Sequence, residues 1–121
     1  MRRIFLCDDT NEYRALVRTV LDAEDDIEVV GEAADGCGCV RNVAETGADL
    51  VLLDLNMPGL HGLDTLPHLR RIVPDADIVV LTTDSEAESE VVARERGARG
   101  FIRKPRDVFD LPDAVRASVA A

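Results

Sequence analysis

The sequence predicts one α/β domain: a doubly wound parallel sheet of five strands alternating with five helices. Three observations predict it. Five short apolar runs each end in turn-forming or charged residues. The segment after each run carries apolar residues at helical spacing. The two patterns alternate βα five times from one end of the chain to the other. Strands joined by helical crossovers run parallel, and such sheets carry helices on both faces. A chain of 121 residues suits a single domain, read here as residues 1–121, and buries a core without metal or disulfide staples.

Each element has its own signal. Residues 3–7, Arg-Ile-Phe-Leu-Cys, form a first strand that ends in Asp8-Asp9. Residues 10–23 place Tyr13, Leu16, Val17, Val20 and Leu21 on one helical face, after an acidic start. Residues 27–33 are β-rich and short. Asp35-Gly36 is a turn, and residues 37–45 carry a weaker helical signal that Gly47 closes as a C-cap. Residues 50–54, Leu-Val-Leu-Leu-Asp, are a fully apolar strand running into a carboxylate, with Pro58-Gly59 as the turn beyond.

Residues 62–73 follow as a third helix, with Pro67 able to kink its early turns and Pro74 as a stop. Residues 77–82 are the fourth strand. Ser85 as N-cap with Glu88 three residues later forms a capping box for a helix running to Arg96 and ending at Gly97. Residues 99–103 are the fifth strand. Asp107 or Asp110 caps a last helix reaching Val119, with Pro112 in its first turn.

Composition narrows the function classes. With three phenylalanines, one tyrosine and no tryptophan, the core is Val, Leu, Ile and Ala. A formal net charge of −10 argues against this chain gripping nucleic-acid phosphates, and suits divalent cations or a basic partner. No apolar run is long enough to span a membrane, and the first residues are too briefly apolar for a signal peptide. The chain is read as cytoplasmic. Cys7, Cys37 and Cys39 make an odd count with no zinc spacing, which favours buried or helix-start cysteines over a disulfide framework, redox pair or metal site.

Ligands in doubly wound sheets bind at the carboxyl ends of the strands. Those ends carry Asp8 and Asp9, Asp35, Asp54, then Thr82, Thr83 and Asp84, and finally Lys104. If the first and third strands are neighbours, Asp8, Asp9 and Asp54 converge. Converging carboxylates repel unless a proton or cation intervenes, and an all-oxygen ligand set selects a hard cation, Mg2+ above all. A cation, an ammonium at Lys104 and a hydroxyl at Thr82 around one rim suit a phosphoryl group, with Asp54 as the attacking carboxylate. Singly, Asp8-Asp9 reads as a helix start, Asp54 as a turn former and Lys104-Pro105 as an exposed turn; in order at four strand ends they read as one site.

These residues are the ones by which receiver domains of two-component response regulators are identified. The whole chain resembles that family, closest in look to receivers of helix-turn-helix DNA-binding regulators. The resemblance rests on the Asp8-Asp9 pair, Leu53-Asp54-Leu55-Asn56-Met57-Pro58-Gly59 with Gly62, Val80-Leu81-Thr82, and the run from Gly97 to Pro105. It implies a flavodoxin-like (βα)5 fold with strand order 2-1-3-4-5. It implies that Asp54 accepts a phosphoryl group from a sensor histidine kinase. It implies Mg2+ bound by Asp9, Asp54 and the backbone carbonyl of Asn56, with Asp8 acting largely through water. Thr82 and Lys104 would hold the phosphoryl oxygens. Thr82 and Phe101 would form the switch, reshaping an output face of fourth helix, fifth strand and fifth helix that also serves as a homodimer surface.

Two departures stand out: Thr83 replaces the small residue usual after the switch hydroxyl, and Pro112 lies in the fifth helix. Asn56 and Asp84 flank the site where the family sets the lifetime of the phosphoryl group, and are expected to permit attack by water. Transcriptional output would require a DNA-binding domain absent from this chain. A stand-alone receiver or phosphorelay module acting by protein contact is the alternative. A Mg2+-dependent aspartyl-phosphate phosphatase would need a second aspartate at Asn56, so the chain is read as no enzyme beyond its own phosphorylation and dephosphorylation. A nucleotide or flavin site would need a glycine- or hydroxyl-rich loop where Asp8-Asp9 stands.

Overall fold

A computed structural model describes residues 1–120. Five parallel strands, β1 (Arg2–Cys7), β2 (Ile27–Ala33), β3 (Leu50–Leu53), β4 (Asp77–Thr82) and β5 (Gly100–Arg103), form one sheet in the order β2-β1-β3-β4-β5. Between and after them run α1 (Asn11–Asp22), α2 (Gly36–Asn42), α3 (Gly62–Ile72), α4 (Ala87–Glu95) and α5 (Leu111–Ser118). Short 3-10 turns extend α2 through Val43–Thr46 and precede α5 at Val108–Asp110.

The apolar strands are continuous in sequence because both faces are covered, and successive residues serve opposite cores. Phe5, Cys7, Val51, Leu53, Ile78 and Val80 point to one side, with Cys39, Val43, Leu66, Leu69 and Ala93 from α2, α3 and α4 and the turns beside them. Ile4, Leu6, Leu50, Leu52, Val79 and Leu81 point to the other, with Val17, Leu21, Leu111 and Val115 from α1 and α5. An irregularity between Ile4 and Phe5 sets Phe5 opposite Gly31, where a β-carbon would press on the phenyl ring at 3.0 Å. All three cysteines are free thiols: Cys37 is exposed, while Cys7 and Cys39 are core residues. Cys39 alongside, together with burial, pushes the Cys7 thiol far above its ordinary range, so it stays neutral.

Helix boundaries depart from expectation where a local hydrogen bond wins. Ser85 does not cap α4. The Asp84 carboxylate takes the Glu86 N–H at 2.8 Å and the Ser89 hydroxyl at 2.8 Å, which keeps residue 86 extended and delays the helix to Ala87. Asp35 proves to be the N-cap of α2, accepting the Gly38 N–H at 2.6 Å. His61 caps α3 through Nδ1, 3.1 Å from the Leu63 nitrogen. Asp107 accepts from Phe109 N–H ahead of α5, and Asp110 stands at the helix start without a side-chain bond.

Pro67 leaves α3 unbroken. Proline frees the carbonyl four residues back, and Arg96 from beyond α4 donates to that Leu63 oxygen at 2.9 Å. Gly47, at φ 69°, ends the helical segment in the left-handed region as the sequence predicts.

Candidate functional site

The site is hung from the ends of three adjacent strands and one edge strand. The Asp8 N–H bonds to the Ala33 carbonyl at 3.1 Å, and the Asp54 N–H to the Cys7 carbonyl at 2.9 Å. The Lys104 N–H reaches the Thr82 carbonyl at 2.8 Å. Each functional residue therefore continues the sheet ladder by one step, which fixes its backbone as firmly as a strand. Asp54 stands one residue past β3 rather than within it.

Asp8, Asp9 and Asp54 each present a carboxylate oxygen within 4.8 Å of the others. Asp8 and Asp54 are buried and Asp9 is exposed. Lys104 bridges the two buried ones, with Nζ 2.9 Å from Asp8 Oδ2 and 3.1 Å from Asp54 Oδ2. Burial alone would lower the Lys104 pKa, but the Asp8 hydrogen bond and the charges of both carboxylates outweigh it, and the net shift is upward. The ammonium stays charged. The other oxygen of Asp8 takes the Thr10 N–H at 2.8 Å, and that of Asp54 takes the Asn56 N–H at 3.1 Å.

Three carboxylates against one ammonium leave an excess of two negative charges, which a divalent cation balances. The donors are oxygens only, as a hard cation requires. No hydrogen bond among the described residues ends on the Asn56 carbonyl, leaving it free to act as a ligand. Asp8 and Asp54 each have both oxygens engaged within the chain, whereas Asp9 stands open. These residues fit the cation that the sequence implies.

Thr82 is fully buried. Its hydroxyl oxygen accepts the Asp84 N–H at 3.2 Å and lies 3.4 Å from Asn56 Nδ2. Asn56 thus touches both the acidic group and the hydroxyl. Asp84 flanks the site through its main chain, while its carboxylate is turned to the start of α4. Phe101 is half-buried, in register with Val80, and packs on the α3–α4 core. The Arg103 guanidinium lies 5.1 Å from its ring centroid.

The arginines of the α4–β5–α5 face are mostly engaged within the chain. Arg94 and Arg103 pair with Glu90, Arg96 with Asp64, and Arg99 with Asp77. Sequence reasoning overlooked two contributors to the site. Arg14 donates to the Asp8 carbonyl at 2.6 Å, and the Tyr13 ring lies beneath the Lys104 ammonium. Helical periodicity marks Tyr13 only as a core position, so nothing in the spacing announces the contact.

Comparison with known proteins agrees with the geometry. The response regulator receiver domain matches residues 4–116. The nitrate/nitrite response regulator protein NarL of Escherichia coli (strain K12) is 38% identical over 117 residues, covering 97% of this chain and 54% of NarL. The uncharacterized transcriptional regulatory protein YhcZ of Bacillus subtilis (strain 168) is 38% identical over 109 residues, covering 90% of this chain and 51% of YhcZ. The chain spans about half the length of these curated relatives.

Among solved structures, a two-component response regulator of the LuxR family from Aurantimonas sp. SI85-9A1 superposes with a TM-score of 0.87 at 33% identity, over 95% of this chain and 82% of that one. The isolated receiver domain of RcsB from Salmonella enterica serovar Typhimurium, solved with the phosphomimetic BeF3−, gives a TM-score of 0.86 at 25% identity, over 96% and 86%. No helix among the described residues is long and apolar enough to cross a membrane. With 4–116 of its residues matched, the chain belongs to the response regulator receiver domain family.

Proposed function

We propose that the chain is a phosphoacceptor receiver, with Asp54 as the residue that takes the phosphoryl group. A carboxylate oxygen of Asp54 attacks the phosphorus of a phosphohistidine on a sensor histidine kinase. The P–O bond forms, the P–N bond breaks, and the electron pair returns to the imidazole. The observation that carries this reading is the ammonium of Lys104, held between Asp54 and Asp8 beside the open carboxylate of Asp9. Asp9, Asp54 and the Asn56 carbonyl would hold Mg2+, with Asp8 reached through water. The cation would supply charge neutralisation at the transferring phosphoryl oxygens. Lys104 pairs with one such oxygen and the Thr82 hydroxyl donates to another.

Engaging Thr82 pulls it from Asn56 and the Asp84 N–H. Phe101 turns inward behind it, and the α4–β5–α5 face changes shape. That face regulates transcription through a DNA-binding part of a longer regulator. Asn56, where aspartyl-phosphate phosphatases carry a second aspartate, supports a receiver whose chemistry is confined to gaining and losing its own phosphoryl group.

Incubation with Mg2+ and acetyl phosphate, followed by intact-protein mass measurement, should add one phosphoryl group. Asp54→Ala should abolish it, and so should chelation of the cation. Label that persists on Asp54→Ala would overturn the assignment. Dimerisation through the α4–β5–α5 face is tested by sedimentation with and without BeF3−; an unchanged monomer would sink it.

A further inference from the structure

One aromatic ring lies in the site with no role assigned above. Tyr13, in the first turn of α1, packs half-buried against the α1–α5 core. The Lys104 Nζ that reaches Asp8 and Asp54 also sits 4.3 Å from the centroid of this ring. The Tyr13 hydroxyl is buried, with no hydrogen-bond partner among the described residues.

We propose that Tyr13 is a positioning residue for Lys104, its ring face holding the ammonium where the phosphoryl oxygen arrives. This rests on the reading of Asp54 as phosphoacceptor. A lysine head on a four-carbon stem has many rotamers to lose. The two carboxylates that fix it in the unphosphorylated chain are both altered by the reaction: Asp54 becomes an acyl phosphate, and Asp8 faces an incoming cation. The ring is the partner that does not change. An aromatic face attracts an ammonium through its quadrupole, more strongly where water is excluded, and the Lys104 side chain is only 13% exposed. An aliphatic residue would fill the same space without that attraction.

Tyr13 is the single tyrosine of a chain without tryptophan, so its emission reports on this contact. In the full chain, Mg2+ with BeF3− should change that emission as Lys104, still over the ring, exchanges its carboxylate partners for the mimic. The change should vanish in Lys104→Gln at matched occupancy, followed by fluorine NMR. Tyr13→Phe should accept phosphoryl groups from acetyl phosphate at the parent rate. Tyr13→Leu, once shown by melting to be folded, should be slower by roughly fivefold at saturating donor. Equal rates for Leu and parent would overturn the proposal. So would an emission response that survives in Lys104→Gln, which decides the matter even if Tyr13→Leu fails to fold. A parent chain that takes no phosphoryl group at all would instead remove the reading on which the proposal stands.

Discussion

Gly62→Ala should damage the site without touching a functional side chain. Gly62 opens α3 and donates its N–H to the Leu55 carbonyl at 3.1 Å. A β-carbon there would lie 2.5 Å from the Asp54 carbonyl oxygen and 2.5 Å from Leu55 Cα. Both are backbone atoms and cannot rotate aside. Relieving a 2.5 Å approach to an ordinary 3.4 Å contact requires about 0.9 Å of movement. Either α3 lifts off the core or the Asp54 main chain shifts. Overpacking of this kind costs about 1–3 kcal/mol, which lowers the melting temperature by roughly 4 °C per kcal/mol for a chain of this size. A shift near 1 Å at a reacting group slows a reaction by up to about a hundredfold. Circular-dichroism melts and labelling by acetyl phosphate measure the two effects.

Gly59→Ala is the control. Gly59 has φ 73° and open space around its would-be β-carbon, so it should cost about 1 kcal/mol of backbone strain and leave labelling near the parent rate. Parent-like melting and labelling for Gly62→Ala would refute the steric argument.

Other outcomes follow from the same contacts. The Glu32 carboxyl is held below its ordinary 4.5, first by the Arg14 hydrogen bond at 2.9 Å and also by Arg18. Its stabilisation is therefore full above pH 4.5 and is lost as pH falls through the lower folded value. Glu32→Gln should melt earlier at neutral pH, by about 1 kcal/mol for so exposed a pair, and the gap to the parent should close below pH 4.5 in urea titrations. Asn56→Ala should alter the decay of the phosphorylated form, because Asn56 touches both Asp54 and Thr82; unchanged decay would count against it. Asp84→Ala should cost about 1 kcal/mol through the lost bonds to the Glu86 N–H and Ser89 hydroxyl and leave decay near the parent rate, read by melting and mass measurement. Arg96→Met should cost roughly 0.5–1 kcal/mol through the Leu63 carbonyl. That cost should shrink in a Pro67→Ala background, where a helical N–H returns, and a double-mutant cycle reads the coupling.

What the sequence made legible divides along physical lines. Strand faces and the order of elements come from period and burial, which a single chain displays openly. Leu50, Val51, Leu52 and Leu53 must serve two cores in turn, and they do. The site was legible for a related reason. Asp8, Asp54 and Lys104 each follow a strand and Thr82 ends one, and a parallel sheet gathers the ends of its strands on one edge.

Choices between near-equal local hydrogen bonds were not legible. Ser85 and Asp84 compete for the same helix start, and the carboxylate prevails because it binds the Glu86 N–H and the Ser89 hydroxyl together. Choosing the start also decides which way the side chain faces, so the shifted helix start and the turning of the Asp84 carboxylate toward α4 are one event. Tyr13 was hidden more deeply. Its spacing says core, and it is packed as core, yet its ring face meets a lysine from the opposite end of the chain. Periodicity reports which way a side chain points, but not what arrives there from 91 positions away.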